Sequence, residues 1–257
     1  MCAICGCSGT GQGNEHDHPH PHEHGHDHAH DHDHDHAHDP AGRLVRIEQD
    51  ILAKNDAIAA RARAWIEARG IAALNLVSAP GSGKTTLLER TLRDLGGEPP
   101  VSVIEGDQET SRDADRIRAA GGRVVQINTG TGCHLDAAMI VRCLPELHPP
   151  ARSILFIENV GNLVCPALFD LGERAKVVVA SVTEGEDKPL KYPHMFRAAD
   201  AMVVSKIDLL PHVPFALDRF LGFARDVNPR LRVFQVSATR GDGLDAWYGW
   251  LRELARG

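Results

Sequence analysis

Residues 78–86, with the sequence SAPGSGKTT, have the composition of a loop that binds a chain of phosphates. Glycines allow successive backbone N–H groups to point at one anion, and the following helix adds the positive end of its dipole. In such a loop the lysine contacts the outer phosphates and the next hydroxyl coordinates Mg²⁺. A simple glycine-rich turn would leave the Lys-Thr-Thr sequence unexplained. The segment therefore predicts a nucleotide-binding loop, with Gly81, Ser82, Gly83, Lys84, Thr85 and Thr86 as its candidate binding residues.

Acidic residues after two later apolar segments are placed to complete this site. Asp107 follows the apolar segment 101–105 and is a candidate ligand of Mg²⁺ together with Thr85, although a helix cap or a solvated turn is the alternative. Glu158 and Gly161 follow the segment 154–157, the position of an acidic and glycine pair that senses a terminal phosphate. A glycine there lets a backbone N–H approach the γ-phosphate, so order in the segment depends on the phosphate. The predicted catalytic group is Lys84, Asp107, Glu158 and Gly161.

Two short segments near the C-terminus favour guanine as the base. In the sequence SKID at 205–208, the Asp208 carboxylate can accept from the guanine N1–H and 2-amino groups while the Lys206 stem lies along the ring. Adenine lacks that pair of donors. Ser237 and Ala238 follow the last apolar segment and can offer a backbone N–H to the guanine oxygen. Each segment alone is equally typical of an exposed loop, but in this order behind a phosphate loop they predict GTP rather than ATP.

Three cysteines at the N-terminus, Cys2, Cys5 and Cys7, are close enough in sequence to converge on one ion without a folded scaffold. Soft thiolates suit zinc, Cu(I) and, in a planar site, Ni(II). A redox pair or chance is the alternative interpretation.

Histidine occupies every second position from residue 16 to 38, and more than half of the intervening residues are Asp or Glu. Neutral imidazole binds zinc, copper and nickel, and a flexible chain can bring several rings onto one ion. An expression tag would be an uninterrupted histidine run, and a merely solvated tail would not require this composition. We therefore predict metal binding by His16, His18, His20, His22, His24, His26, His28, His30, His32, His34, His36 and His38.

A further candidate metal site lies inside the chain. Cys133 and His134 follow a glycine-rich turn, and Cys165 lies four residues beyond Gly161. Thiolate with imidazole is a donor set suited to zinc or nickel. Because three ligands are few for a closed site, we expect sharing across a two-fold interface. Spacing alone is equally compatible with both cysteines being buried apolar side chains, as we expect for Cys143.

The elements that must position these residues alternate between strands and helices. An amphipathic helix is predicted over 44–69, with Gly70 placed to end it. Beyond it we predict strands at 72–77, 101–105, 124–127, 154–157, 177–181, 202–204 and 233–236. The intervening helices are predicted at 85–95, 111–120, 135–144, 215–227 and 244–254. The alternation predicts an α/β fold with a mostly parallel sheet covered by helices on both faces, which binds ligands at the carboxyl ends of its strands.

Composition and charge exclude several classes of protein. The 257 residues are 42% hydrophobic, enough for a buried core. Residues 1–40 contain eight acidic and no basic side chains, and the other 217 contain 28 basic and 27 acidic ones. No region has the positive excess of a nucleic-acid-binding protein, and no apolar run approaches the roughly 18 residues of a membrane span.

The same patterns predict the domain organisation. Apart from Met1 and Ile4, the first 39 residues have no large apolar side chain, so we expect residues 1–40 to be a disordered metal-binding tail. We predict an N-terminal helix at 41–70 and a P-loop GTPase domain with the internal metal site at 71–257. The tail lacks the features of a signal peptide, so we expect a cytoplasmic protein whose six cysteines are not in disulfides.

With these motifs assembled, the chain resembles the HypB family of hydrogenase nickel-incorporation GTPases over nearly all of residues 43–257. The resemblance rests on NLVS at 75–78, VIEGDQ at 103–108, GCHLD at 132–136, FIENVGNLVCP at 156–166 and SVTEGEDKPLK at 181–191. Ser78, where a phosphate loop usually begins with glycine, is a trait of this family. Ser205 departs from it, because the family usually has asparagine there, and we expect slightly weaker base selectivity.

The resemblance implies a SIMIBI-type G domain that binds GTP or GDP with Mg²⁺ and forms a nucleotide- and metal-linked homodimer. It implies delivery of nickel to the large-subunit precursor of [NiFe] hydrogenase, together with a HypA-type nickel chaperone. It further implies a tight nickel site at Cys2, Cys5 and Cys7 and a weaker Ni²⁺ or Zn²⁺ site at Cys133, His134 and Cys165. The histidine tail occurs in some members, where it resembles a nickel store. With no water-orienting glutamine evident, we expect slow intrinsic GTP hydrolysis.

Two other functions fit the same residues. One is a urease-type nickel-insertion GTPase, which shares the fold and a histidine-rich start. The internal Cys133, His134 and Cys165 set and the N-terminal cysteines distinguish the hydrogenase type from it. The other is a nickel storage protein in which nucleotide only controls dimerisation.

Overall fold

The computed structural model describes residues 40–107 and 112–256, with side chains from Val45 onward. The N-terminal cysteines and the histidine run, and the predictions made for them, lie outside the described residues. In the described part of the chain, no helix combines the length and apolarity needed to cross a bilayer.

The described residues form a parallel sheet and a series of helices. The strands are β1 Ala72–Ser78, β2 Val101–Asp107, β3 Arg123–Asn128, β4 Ile154–Glu158, β5 Ala175–Ser181, β6 Ala201–Ser205 and β7 Arg232–Gln235. The helices are α1 Pro40–Glu67, α2 Lys84–Leu95, α3 Arg112–Ala119, α4 Ala137–Leu147, α5 Lys188–Lys191, α6 Pro193–Ala198, α7 Leu217–Val227 and α8 Leu244–Arg256.

The seven strands run in the order β3-β2-β4-β1-β5-β6-β7, and every pairing is parallel. The chain moves outward from β1 through β2 and β3, returns to insert β4 beside β1, and then continues outward on the other side. Such a reversal of strand order opens a crevice at the carboxyl ends of the strands, where ligands bind. The loops that carry the predicted nucleotide residues leave the sheet at this edge.

The sheet is buried on both faces because its central strands consist almost entirely of buried residues. On one face, Leu74, Leu76 and Phe156 pack in the same cluster as α2 and α8. On the other face, Leu155 and Ile157 pack in a cluster with α1 and α4. Alternate residues of each strand thus anchor helices on opposite faces, as the alternation of elements predicted.

The first helix extends over 28 residues. It begins four residues before and ends two residues before the bounds predicted from its apolar spacing. Gly70 follows in a left-handed conformation with φ of +63°, and its N–H donates to Glu67 O at 2.9 Å. The division between the two units of the chain falls inside this helix, between Asp50 and Ile51. Within the second unit, Ala59, Ala62 and Ile66 are buried.

The predicted strands are all present, whereas α5 and α6 are not among the predicted elements. These helices have four and six residues, and each contains a proline in its first turn. Apolar periodicity cannot identify helices of one turn. The predicted helix at 135–144 begins instead at Ala137, because the Asp136 side chain accepts from Met139 N at 2.7 Å and caps it.

A buried hydrogen bond joins α2 to α8 and provides a test of this packing. Trp247 Nε1 donates to Thr91 Oγ1 at 3.1 Å, and both residues are fully buried. Thr91→Val keeps the shape but leaves the indole N–H without its acceptor. We expect the free energy of unfolding, measured by urea denaturation, to fall by about 1–3 kcal/mol. Thr91→Ser, which keeps the hydroxyl, should lose less than the valine variant, and the reverse order would contradict this account.

Candidate functional site

The phosphate loop connects β1 to α2 and depends on two glycines in the left-handed region. Gly81 and Gly83 have φ of +73° and +97°, which favour glycine. Lys84 opens α2, is 9% exposed, and donates from Nζ to Ser78 Oγ at 2.7 Å. Ser78, where most such loops have glycine, therefore gives the lysine a partner. Burial lowers the pKa of Lys84, and the nearby Glu158 carboxylate opposes that shift.

Carboxylates at the ends of β2 and β4 face this loop across a cavity of about 450 Å³. Glu158 ends β4 and accepts from Thr85 Oγ1 at 2.7 Å. Burial raises the pKa of Glu158 to about 7, although the nearby charge of Lys84 acts to lower it. Asp107 ends β2 and lines the same cavity. The structure thus brings together Lys84, Thr85, Asp107 and Glu158, which the sequence analysis assigned to one site.

The donor set at this cavity fits Mg²⁺. Oε2 of Glu105 and Oε2 of Glu158 are buried and have no hydrogen-bond partner among the described residues. Burial, with repulsion from Glu158 and Asp107, raises the pKa of Glu105 to about 8. Several carboxylate oxygens and the Thr85 hydroxyl are the hard ligands that a small divalent cation prefers. A cation here would relieve the repulsion that raises these pKa values.

Some residues lining this cavity were not predicted as site residues. Glu105 lies two residues before Asp107 and is 2% exposed. Asp113 and Arg116 come from α3, and the Arg116 guanidinium contacts Thr86 Oγ1 at 3.1 Å and Glu89 Oε2 at 2.6 Å. The carboxylate of Glu105 was visible beside the predicted Asp107, but nothing in the sequence distinguishes Arg116 from other helical arginines.

Gly161 lies against the phosphate loop. A Cβ at this position would come within 3.0–3.1 Å of three atoms of Pro80. The absent side chain therefore allows the segment after β4 to pass directly beside the loop. Gly161 also lines the phosphate cavity; its role as a sensor of the terminal phosphate stays a prediction.

A second cavity, of about 310 Å³, continues from the phosphate loop toward the carboxyl ends of β6 and β7. Its lining includes Lys206, Asp208 and Ala238, which were predicted to recognise guanine. Lys206 Nζ donates to Gly81 O at 2.8 Å, so its stem crosses the phosphate loop. The Ser237 hydroxyl meets the Thr239 hydroxyl at 3.1 Å and accepts from Arg240 N, which shapes the loop after β7.

Ser205 ties the base cavity to the phosphate loop. Its buried hydroxyl donates to Ser82 O at 2.6 Å. Serine thus links the base loop to the phosphate loop at the position where the family usually has asparagine. The expected weaker base selectivity stays a prediction.

The internal metal-ligand set converges in space. The candidate ligand atoms of Cys133, His134 and Cys165 all lie within 4.8 Å of one another, with the two sulfurs 3.1 Å apart. Cys165 is fully buried, whereas the other two are half-buried. Burial lowers the pKa of His134, which favours the neutral imidazole that binds metals. The fit to a borderline-soft ion such as nickel or zinc is good.

Neighbouring side chains fix the segment after Cys165 and the ring of His134. Lys176 Nζ donates to Pro166 O at 3.0 Å and to Phe169 O at 3.2 Å, so a buried cation fixes the segment after Cys165. The Phe169 ring packs on the His134 ring with centroids 4.0 Å apart. Cys143, by contrast, is half-buried and packs against an apolar cluster that includes residues of α4, so it lies at the edge of the core rather than inside it.

A family model and several relatives are similar to this chain. The family model described as CobW/HypB/UreG, nucleotide-binding domain, matches residues 72–235. A relative named hydrogenase maturation factor HypB, from Rhizobium leguminosarum bv. viciae, is 59% identical over 213 residues, covering 83% of this chain and 71% of the relative. A relative from Helicobacter pylori (strain ATCC 700392 / 26695), named hydrogenase/urease maturation factor HypB, is 40% identical over 216 residues, covering 82% of this chain and 88% of the relative.

A solved structure is also similar. The crystal structure of HypB from Helicobacter pylori in complex with nickel aligns with a TM-score of 0.73 and 40% identity, covering 79% of this chain and 95% of that one.

The Ser205 hydrogen bond generates a prediction about nucleotide affinity. Ser205→Ala removes the link to Ser82 O and should weaken binding of GDP, measured by titration calorimetry, by about 5- to 30-fold. Ser102→Ala is the matched control, because its buried hydroxyl has no hydrogen-bond partner among the described residues. Equal GDP affinity in the Ser205 variant and the wild type would contradict the assigned role.

Proposed function

This chain belongs to the HypB group of the CobW/HypB/UreG family, a nickel-associated GTPase family, and we propose that GTP binding and hydrolysis in it control nickel delivery to the large-subunit precursor of [NiFe] hydrogenase. The observation that carries the proposal is the continuity of one short segment. Gly161 contacts the phosphate loop, and four residues later Cys165 meets Cys133 and His134. A change at the terminal phosphate is therefore transmitted to the metal site through this short segment.

The nucleotide site supports hydrolysis of the β–γ bond of GTP to give GDP and phosphate. Lys84 neutralises charge that develops on the phosphates, and the Gly161 N–H donates to the γ-phosphate. Thr85 and Asp107, with Glu158 and Glu105 beside them, hold Mg²⁺, which when bound offsets the charge of the β- and γ-phosphate oxygens. Among the described residues lining the phosphate cavity there is no glutamine or histidine to orient the water, so intrinsic turnover is slow.

Nickel is the cargo of this protein rather than a resident cofactor. The Cys133, His134 and Cys165 site binds Ni²⁺ or Zn²⁺ and is the point from which nickel leaves. Cys2, Cys5 and Cys7 form a tighter nickel site, and the twelve tail histidines hold a reserve of exchangeable ions. The organisation is a metal-binding tail at 1–40, a helix at 41–70 and a GTPase domain at 71–257.

The working unit is a cytoplasmic homodimer linked by nucleotide and metal. Three ligands in each chain leave coordination positions that a second copy or a partner can complete. A HypA-type nickel chaperone is the partner in transfer, and the hydrogenase large-subunit precursor is the recipient.

Urease maturation is the second candidate function. It is favoured by the name of the Helicobacter pylori relative, which includes both hydrogenase and urease. Activity of both nickel enzymes in cells that carry or lack this protein distinguishes the two recipients.

The proposal predicts that delivery, but not storage, depends on Lys84. We expect Lys84→Ala to reduce GTP hydrolysis and hydrogenase activity in cells by at least about tenfold, since the lysine stabilises charge at the transferring phosphoryl group. Total nickel bound by the purified full-length protein should stay unchanged. Arg93→Ala, an exposed change on the same helix, is the control. If hydrogenase maturation survives the loss of hydrolysis, the protein is a store and the delivery function is wrong.

The tail generates a separate prediction. In the full-length chain, replacing its twelve histidines by asparagine should remove the weak nickel sites, measured by equilibrium dialysis, while the site at Cys133 remains. Unperturbed imidazoles titrate at about pH 6.5, so in the wild type protons should displace this nickel as the pH falls from 7.5 to 6. Nickel stoichiometry that is the same in both proteins at pH 7.5 would exclude the store.

A further inference from the structure

We propose that Asn162 is the positioning residue that couples the phosphate-sensing segment to the metal site, an inference that rests on the proposed function. Its Nδ2 donates to Cys133 O at 3.2 Å, and its Oδ1 accepts from Val164 N at 2.8 Å. The Asn162 amide thus joins the loop that carries Cys133 to the segment that leads into Cys165. Asn162 directly follows Gly161, the residue packed on the phosphate loop.

The backbone of Asn162 is attached to the nucleotide site as well. It forms an isolated antiparallel bridge with Ser78, the residue whose hydroxyl accepts from Lys84. Asn162 therefore has its main chain beside the start of the phosphate loop and its side chain on the metal loop. A shift of this segment when the terminal phosphate binds or leaves is transmitted to Cys133 through a single hydrogen bond.

A second asparagine holds the other end of the metal loop to a fixed point. Asn159 is 1% exposed, and its Oδ1 accepts from Leu135 N at 3.2 Å and from Val160 N at 3.0 Å. Its Nδ2 donates to Asn75 Oδ1 at 3.2 Å, inside the sheet. The loop with Cys133 and His134 is thus hydrogen-bonded to Asn159, before Gly161, and to Asn162, after it. Displacement of Asn162 relative to Asn159 therefore changes the orientation of Cys133 and His134.

Cys165 is held independently of this movement. Lys176 donates hydrogen bonds to the carbonyls of Pro166 and Phe169, and Cys165 is fully buried. A displacement carried by Asn162 therefore changes the distance between Cys133 and Cys165, rather than moving the whole site. Nickel affinity at this site then differs between the GDP and GTP states.

The variant that separates coupling from support is Asn162→Asp. The carboxylate still accepts from Val164 N, but it replaces the donor to Cys133 O by an acceptor, so the link becomes a repulsion. Asn128→Asp is the matched control, because its oxygen accepts from Gly130 N at 2.8 Å in the loop before Cys133. That change adds the same charge nearby and keeps its hydrogen bond.

The measurement uses the full-length protein and is read only at Cys133, so that nickel bound to the tail contributes no signal. Nickel concentrations are free concentrations, set by a metal buffer. Alkylation of Cys133 by iodoacetamide, followed by peptide mass spectrometry, gives the nickel concentration for half-protection with GDP and with a non-hydrolysable GTP analogue. We expect the two wild-type midpoints to differ by about 5- to 150-fold, the usual range of coupling between sites. In Asn162→Asp the difference should fall below about twofold, and in Asn128→Asp it should match the wild type.

Each other outcome has a distinct meaning. A merely structural asparagine would weaken nickel binding equally in both nucleotide states and leave the ratio of midpoints unchanged, which overturns the proposal. Loss of all nickel protection at Cys133 in Asn162→Asp overturns it too. If the wild type shows the same midpoint with both nucleotides, the gating function itself fails. Reciprocity requires nickel to change the affinity for the GTP analogue by the same factor, which provides a second measurement.

Discussion

The insertion of β4 between β1 and β2 is the constraint on which both sites depend. The parallel register sets Leu76 opposite Glu158, so β4 ends level with the start of the phosphate loop. Glu158 then reaches Thr85, and the chain that continues from β4 passes Pro80 before it arrives at Cys165. Strand order, rather than any local motif, places the phosphate loop and the Cys133, His134 and Cys165 set along one stretch of chain.

The phosphate cavity contains buried ionisable side chains whose charges are only partly balanced within the protein. Burial raises the pKa of Glu105 and of Glu158 and lowers the pKa of Lys84, so the protein alone stabilises none of the three ionised forms well. Phosphate oxygens would supply the counter-charge for the lysine, and a divalent cation would supply it for the carboxylates. Ligand binding would therefore change the local electrostatics, and the segment after Glu158 starts at one of the affected carboxylates.

The sequence was sufficient to predict the sheet and the identity of most candidate residues. Strands buried on both faces have continuous apolar runs, and a phosphate loop has a local pattern that survives without knowledge of the fold. Interactions across the sheet leave no such pattern. The ties from Asn162 to Cys133 and from Ser205 to Ser82 join residues 29 and 123 positions apart. Their roles follow from topology, and neither amide nor hydroxyl is unusual in its own segment.

The metal site combines features that favour transfer over permanent storage. A structural zinc site normally surrounds its ion with four protein ligands, whereas the described part of the chain supplies three here. Cys133 and His134 are adjacent in the sequence and half-buried, whereas Cys165 is fully buried. Movement of Cys133 and His134 away from Cys165 would divide this ligand set. An ion held by three protein ligands would keep a coordination position for a ligand from a second protein before it leaves the first.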